Sequence, residues 1–410
     1  MISKATTSIA AVLALFQLPS PTLGINTPQI IDLSQDFPRD EAAIASSPGS
    51  LAIENAASQD PLVRAFMVVE NGTIVTKYHR DDVDPDETTF EVYSTTKSWI
   101  SLLIGMLVED GKLALNETLG DVFPSDDAWT DVSDDSIDFR KNVTIEELLT
   151  MSSGLISPPN FMLDWSWGGA SLEDSLSYPD IGVKGEFSYL ALSNIPGYII
   201  KERSGMNPRE YLATHVMGKL GINEDEYEWQ QNEDGMNMGY IGLELTPMQM
   251  AKFGQLYLQG GQTNPSNDDR VISQEWIDAS FTQYTTETST GLSYGYLFWE
   301  FPLKSGVYCA YGLGGQDICI DRELGRVLVQ QKDLNMFDVD SDDTEGLEHV
   351  ALASIALDDA LSFRIDDGGL TEEDEETPTF QSDTSGGNVN LLDMSLWTLL
   401  FGLFVQVFVC

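Results

Sequence analysis

Apolar positions near residue 65 predict a β-hairpin followed by a helix. Residues 65–78 contain two strand-like runs, and Asn71-Gly72 between them is typical of a tight hairpin turn. From Thr95 to Asp110 the apolar residues recur at helical spacing, and Gly111 follows where such a helix would end. The pattern therefore predicts two strands that lead into an amphipathic helix.

The middle of the chain, about residues 112–290, has mainly helical periodicity. The predicted helices there lie near residues 144–151, 194–204, 208–218 and 246–259. Strand-like runs then return over residues 294–301, 306–310, 318–321 and 326–331, and a closing helix is predicted over residues 345–362. This order predicts an α+β fold, with a largely antiparallel sheet from both chain ends and a mainly helical insert.

Both ends of the chain have the pattern of targeting segments. Residues 1–24 combine Lys4, an apolar run and a small residue, Gly24, which is the layout of a secretory signal peptide. Residues 25–60 are an N-terminal extension, residues 61–365 the main domain, and residues 366–390 an acidic stalk. The apolar tail, residues 391–410, predicts a glycosylphosphatidylinositol anchor signal, and a single C-terminal transmembrane helix is the alternative.

In a secreted or cell-surface protein, asparagine can be glycosylated and cysteine can form disulfides. Asn71, Asn116 and Asn142 each begin an Asn-x-Thr triplet and are candidate glycosylation sites. An oxidising compartment would allow a disulfide between Cys309 and Cys319, although two free buried thiols are the alternative.

Composition excludes several classes of function. The chain has 66 acidic and 21 basic residues, and its formal net charge is −45. Nucleic acids and anionic membrane surfaces need basic partners, so we expect neither, and membrane contact only through the C-terminal anchor. With three scattered histidines in the chain, we expect no histidine-rich zinc site and no metal or organic cofactor.

Two serines are candidates for a nucleophile. Ser293 lies in a Gly-x-Ser-x-Gly run, but the residues after it are strand-like, whereas that motif needs a strand-to-helix turn. Ser94 stands where a strand gives way to the predicted helix, three residues before Lys97. Positions i and i+3 share a helix face, so the hydroxyl and the amine can meet. An amine held in an apolar pocket loses its proton more easily and can act as a base.

Four ordered blocks carry a family resemblance. They run from Ser94 to residue 113, from Thr144 to residue 155, from Leu245 to residue 258 and from Gly312 to residue 321. In them the region from about residue 64 to 360 resembles the serine β-lactamase-like hydrolases, which include class C β-lactamases, D-Ala-D-Ala carboxypeptidases and related esterases. Met151 stands where many members have histidine, and residues 310–312 are Ala-Tyr-Gly where others have Lys-Thr-Gly. Both features indicate the subgroup of 6-aminohexanoate-dimer hydrolases and similar esterases.

The resemblance implies roles for individual residues. Ser94 is the expected nucleophile, Lys97 its base, and Tyr189 a proton carrier. The family's asparagine two residues after this tyrosine is missing, and Asn194, five residues after it, is the nearest substitute.

A third site is implied at the strand edge formed by Tyr311, Gly312 and Leu313. A backbone N–H there would join that of Ser94 in an oxyanion hole. Further residues are expected either in an acyl pocket or in the core; these are Trp165, Trp167, Trp299 and Tyr311.

The sequence thus predicts a secreted serine hydrolase that cleaves an ester or amide through an acyl-enzyme on Ser94. We expect a small-molecule, short peptide or ester substrate. Because the lysine of Lys-Thr-Gly is missing, no cation is expected to bind a substrate carboxylate, and efficient cleavage of β-lactams or D-Ala-D-Ala is not expected. The alternative is a catalytically weak or inactive extracellular binding or scaffold protein of the same fold.

Overall fold

The computed structural model describes residues 29–333, apart from residues 40, 42–43, 45–47, 157–170, 178–179, 191–192, 267–269, 288–290 and 302–304. The predicted signal peptide, closing helix, acidic stalk and apolar tail therefore lie outside the described residues, as do Trp165 and Trp167. Among the described helices, none has the length and apolar character that a membrane span requires.

Thirteen strands are described, and eight of them form one antiparallel sheet. In chain order the strands are β1 (Val63–Glu70), β2 (Thr73–His79), β3 (Phe90–Glu91), β4 (Leu155–Ile156), β5 (Asp180–Ile181), β6 (Glu228–Trp229), β7 (Leu243–Leu245), β8 (Thr285–Thr286), β9 (Ser293–Tyr294), β10 (Trp299–Glu300), β11 (Val307–Gly312), β12 (Gln316–Asp321) and β13 (Arg326–Lys332). The main sheet has the order β2-β1-β13-β12-β11-β10-β9-β8, and the smaller sheets are β3-β7-β6 and β4-β5.

Most of the described helices lie between β3 and β8, together with the short strands β4 to β7, and one helix precedes the sheet. The α-helices are α1 (Pro48–Gln59), α2 (Thr96–Glu109), α3 (Leu119–Val122), α4 (Ile137–Lys141), α5 (Ile145–Leu149), α6 (Leu172–Ser177), α7 (Ile195–Ser204), α8 (Pro208–His215), α9 (Pro247–Leu258) and α10 (Gln274–Ser280). Short 3₁₀ turns cover Tyr93–Thr95, Asp126–Trp129 and Met217–Leu220. This arrangement confirms the predicted α+β fold with a mainly helical insert.

Strands from both ends of the described range meet in the main sheet, as the sequence predicts. β1 and β2 form a hairpin whose turn residues, Asn71 and Gly72, have φ of 48° and 76°. Both values lie in the left-handed region that the Asn-Gly pair adopts readily. β1 also pairs antiparallel with β13 near the other end of the described chain, with Val68 opposite Leu328.

The main sheet is buried on both faces. Successive side chains of a strand point to opposite sides, so one strand can contribute to two cores. On β1, Met67 and Val69 belong to the larger core, which contains α2, α9 and much of the helical insert. Phe66 and Val68 point the other way and pack with Ile53 of α1. The sheet therefore has helices on both faces, and α1, from the predicted N-terminal extension, covers one of these faces.

The prediction of one continuous strand over residues 294–301 is wrong. A turn separates β9 from β10, in which the Gly295 N–H donates to Phe298 O at 2.9 Å and Leu297 has a φ of 61°. Two contacts from elsewhere in the fold hold this turn. The Leu297 N–H donates to Leu149 O at 3.0 Å, and the Ser98 hydroxyl donates to Leu297 O at 2.7 Å.

Candidate active site

A sharp backbone turn places Ser94 at the start of helix α2. Tyr93 has a φ of 47°, and the 3₁₀ turn Tyr93–Thr95 runs directly into the fourteen-residue helix. Beside Ser94, the Thr95 hydroxyl donates to the backbone carbonyls of Gln316 and Ala310. Ser94 is therefore half-buried between the positive end of a helix and the end of β11, where negative charge on a ligand is stabilised.

Lys97 lies under Ser94 and is almost completely buried, with 4% of its surface exposed. Its Nζ donates to Ser94 Oγ at 3.0 Å and to the backbone carbonyl of Tyr240 at 3.3 Å. Burial lowers the pKa of Lys97 to about 7, because the charged ammonium loses solvation. None of the described carboxylates forms an ion pair with Lys97, so a large share of its amine is neutral near neutral pH.

Tyr189 is the third side chain of this group. Its phenol is near enough to the Ser94 side chain for the serine to lower the phenol's pKa, and its ring centroid lies 5.1 Å from Lys97 Nζ. The pKa of Tyr189 is raised to about 12, because the effect of burial is larger than the opposing effect of Ser94. The phenol is therefore protonated near neutral pH, so it can donate a proton.

Gly312, at the end of β11, lies against the segment that precedes Ser94. A Cβ at this position would lie 2.2 Å from the carbonyl oxygen of Val92, so only glycine allows this approach. On the neighbouring strand β12, burial raises the pKa of the Asp317 carboxyl group to about 7. Which N–H of this edge serves as the oxyanion donor stays a prediction, and we expect it to be that of Leu313. Tyr311 is half-buried here, and burial raises the pKa of its phenol.

The side chain of Asn194 contacts the backbone next to this group. Its side-chain Oδ1 accepts a hydrogen bond from the Gly239 N–H at 3.0 Å, next to the Tyr240 carbonyl that contacts Lys97. Met151 has a similar local role, because the Leu190 N–H donates to its Sδ at 3.2 Å, directly after Tyr189. The sequence did not predict Tyr240 as a site residue, since a backbone carbonyl leaves no motif.

Trp299 packs against the back of the site. Its ring centroid lies 5.7 Å from that of Tyr189, 5.5 Å from Phe187 and 4.5 Å from Tyr294. Only 3% of its surface is exposed. Trp299 thus supports the Tyr189 ring from the core, and little of it is available to a ligand.

The remaining predicted residues lie outside the Ser94 group. Cys309 and Cys319 face each other on β11 and β12 and are joined by a disulfide. Asn116 and Asn142 are exposed, and Asn71 is half-buried at the hairpin turn.

Ser293, the serine of the rival motif, lies in β9, opposite Thr286 of β8. It therefore lacks the strand-to-helix turn which that motif requires. Within the described ranges, no cluster of three or more histidine, cysteine or acidic side chains is arranged to bind a metal.

Ser94 and Lys97 thus lie together at the start of α2, beside the end of strand β11. The family model for Beta-lactamase matches residues 57–351. The chain belongs to the beta-lactamase family of serine hydrolases, whose fold this is. No curated protein matches the sequence.

Solved structures share this fold at low sequence identity. A candidate 6-aminohexanoate-dimer hydrolase from Bacillus anthracis has a TM-score of 0.63 and 16% identity, over 83% of this chain and 91% of that chain. A hydrolase with promiscuous acyltransferase activity has a TM-score of 0.60 and 14% identity, over 77% and 99% of the two chains. Simvastatin synthase from Aspergillus terreus has a TM-score of 0.55 and 16% identity, over 76% and 99%.

Proposed function

We propose that the protein is an active serine hydrolase that cleaves an ester or amide through an acyl-enzyme on Ser94. The observation that carries this proposal is the contact of Ser94 Oγ with both the buried amine of Lys97 and the phenol of Tyr189. A hydroxyl alone is a weak nucleophile, and an adjacent base that is neutral near pH 7 activates it.

In the acylation step, Ser94 Oγ attacks the substrate carbonyl carbon and its proton passes to the neutral Nζ of Lys97. The carbonyl oxygen becomes an oxyanion, and the N–H groups of Ser94 and Leu313 stabilise it. The carbonyl then reforms, and the leaving group departs with a proton donated by the Tyr189 phenol, which Lys97 resupplies. General acid–base transfer of this kind contributes about a hundred- to ten-thousand-fold in rate.

In the deacylation step, water takes the place of the leaving group. The water gives its proton to the Lys97 and Tyr189 pair as its oxygen bonds to the acyl carbon. The bond to Ser94 Oγ then breaks, and the serine regains its proton. The structural neighbour with promiscuous acyltransferase activity supports an acyl-enzyme that reacts with an acceptor.

The expected substrate is uncharged near the β11 edge. Ala310, almost fully buried, begins the Ala-Tyr-Gly run where many relatives by resemblance have Lys-Thr-Gly. The described residues near Ser94 thus supply no exposed cation from that motif for a substrate carboxylate. Small neutral esters and amides therefore suit this site better than carboxylated substrates.

The test compares two serine variants with a p-nitrophenyl ester as substrate. Ser94→Ala should abolish turnover, whereas Ser293→Ala, which removes the serine of the rival motif, should retain it. Far-UV circular dichroism on both variants shows that each is folded. Full activity in Ser94→Ala would overturn the proposal, and wild-type protein that neither turns over esters nor reacts with a fluorophosphonate would favour a binding or scaffold role.

We further propose that the protein is secreted and held at the cell surface by a lipid anchor. The disulfide between Cys309 and Cys319 and the exposed Asn116 and Asn142 support an extracytoplasmic compartment. Treating intact cells with phosphatidylinositol-specific phospholipase C should release soluble enzyme. Retention of the protein on the membrane, with its C-terminal peptide intact, would contradict the lipid anchor and favour a transmembrane helix.

A further inference from the structure

A four-residue segment, Gly239-Tyr240-Ile241-Gly242, passes beside the buried Lys97. It precedes β7, and its Tyr240 carbonyl accepts a hydrogen bond from Lys97 Nζ at 3.3 Å. Within the described residues, this carbonyl and Ser94 Oγ are the two hydrogen-bond acceptors of Lys97. The position of the carbonyl therefore determines the direction in which the amine points.

Two side chains from distant parts of the chain hold the ends of this segment. Asn194, which is 1% exposed at the start of α7, accepts from the Gly239 N–H at 3.0 Å. Glu91, in β3, accepts from the Gly242 N–H at 3.1 Å. The backbone also packs tightly on α7, since a Cβ on Gly239 would lie 2.9 Å from the backbone nitrogen of Gly197.

We propose that Asn194 and Glu91 are positioning residues for Lys97. By fixing Gly239 and Gly242 they hold the Tyr240 carbonyl where it directs Nζ toward Ser94 Oγ. This inference rests on the proposed role of Lys97 as the base. It assigns Asn194 a role that acts through the backbone and the lysine, distinct from that of a substitute for the family's asparagine near Tyr189.

The contact made by Glu91 does not require a charge. Burial raises the pKa of Glu91 to about 7, and the nearby carboxylate of Glu244 adds to the increase. A protonated carboxyl group still presents a carbonyl oxygen to the Gly242 N–H, and so does the amide of glutamine. Glu91→Gln therefore preserves the acceptor, whereas Glu91→Ala removes it.

The first experiment measures the rate at which a fluorophosphonate labels Ser94, together with kcat and KM for a p-nitrophenyl ester. Asn194→Ala and Glu91→Ala should each lower the labelling rate and kcat by about ten- to a hundredfold, because misplaced reacting groups cost about that much. KM should stay nearly constant, and Glu91→Gln should retain most of the wild-type rate. Wild-type rates in both alanine variants would overturn the proposal.

A double-mutant cycle separates positioning from a general loss of structure. In a Lys97→Ala background, Asn194→Ala should lower the residual labelling rate no further, because the contact acts only through Lys97. An equal loss in both backgrounds would overturn the proposal in favour of a general structural role. Gln249→Ala is the matched control, since Gln249 is also buried and donates to a backbone carbonyl, that of Glu226, at 2.8 Å.

The failure of the underlying function is visible separately. If Ser94 in the wild-type protein is not labelled at all, both the proposed function and this inference fall. If Ser94 and Lys97 are both needed for labelling but the Asn194 and Glu91 variants are unaffected, the positioning role alone is wrong.

Discussion

Replacing Lys97 by arginine tests whether a neutral amine under Ser94 drives acylation. Burial lowers the pKa of Lys97 from 10.5 to about 7. At pH 7 the neutral fraction of the amine thereby rises from ~1 in 3,000 to about one half. Arginine keeps a positive charge in nearly the same place but stays protonated at every pH that the folded protein tolerates. Lys97→Arg should therefore lower kcat/KM at pH 7 by about a hundred- to ten-thousand-fold.

The assay is the pH dependence of kcat/KM for a p-nitrophenyl ester. In the wild-type enzyme kcat/KM should rise as the pH increases through about 7, because deprotonation of Lys97 creates the base. Lys97→Arg should lack this rise. Lys252→Arg is the control, because Lys252 is also buried but pairs with Asp36 at 2.9 Å. A wild-type rate in Lys97→Arg, or a wild-type profile that is flat through pH 7, would show that a neutral Lys97 does not drive acylation.

Three further substitutions test the neighbouring contacts. Tyr189→Phe removes the hydroxyl next to Ser94 and should lower kcat by about a hundredfold; unchanged kcat would assign the proton transfer elsewhere. Gly312→Ala places a Cβ 2.2 Å from the Val92 carbonyl oxygen, so kcat should fall. Circular dichroism should show that this variant is still folded. Gly105→Ala, in α2, places a Cβ 2.4 Å from the ring of Trp276 and should lower the free energy of unfolding by about 1–3 kcal/mol in urea titrations; undiminished stability would show that the helices move apart easily.

Local patterns predicted the features that depend on neighbours in the sequence. The Asn71-Gly72 turn, helix α2 and the contact between Ser94 and Lys97 all follow from short spacings and residue preferences. The family resemblance added Tyr189, which lies far away in the sequence. Its phenol contacts Ser94 because the helical insert folds back onto the start of α2.

Features that depend on distant backbone contacts could not be predicted. The apolar run over residues 294–301 gives no sign of the turn at Leu297, which contacts with Leu149 and Ser98 hold in place. The sequence also gives no sign of the Tyr240 carbonyl next to Lys97, because any residue type supplies a carbonyl. Asn194 was predicted near the site, but its bond to Gly239 became clear only from the structure.

The identity of the residue that becomes acylated tests the proposed function most directly. Purified wild-type protein is treated with a fluorophosphonate probe, digested and analysed by tandem mass spectrometry, and a Lys97→Ala sample is treated in parallel. We expect a single adduct on Ser94 in the wild-type protein and a much slower appearance of that adduct without Lys97. An adduct on Ser293, or labelling of Ser94 at the same rate in both samples, would contradict the proposed function.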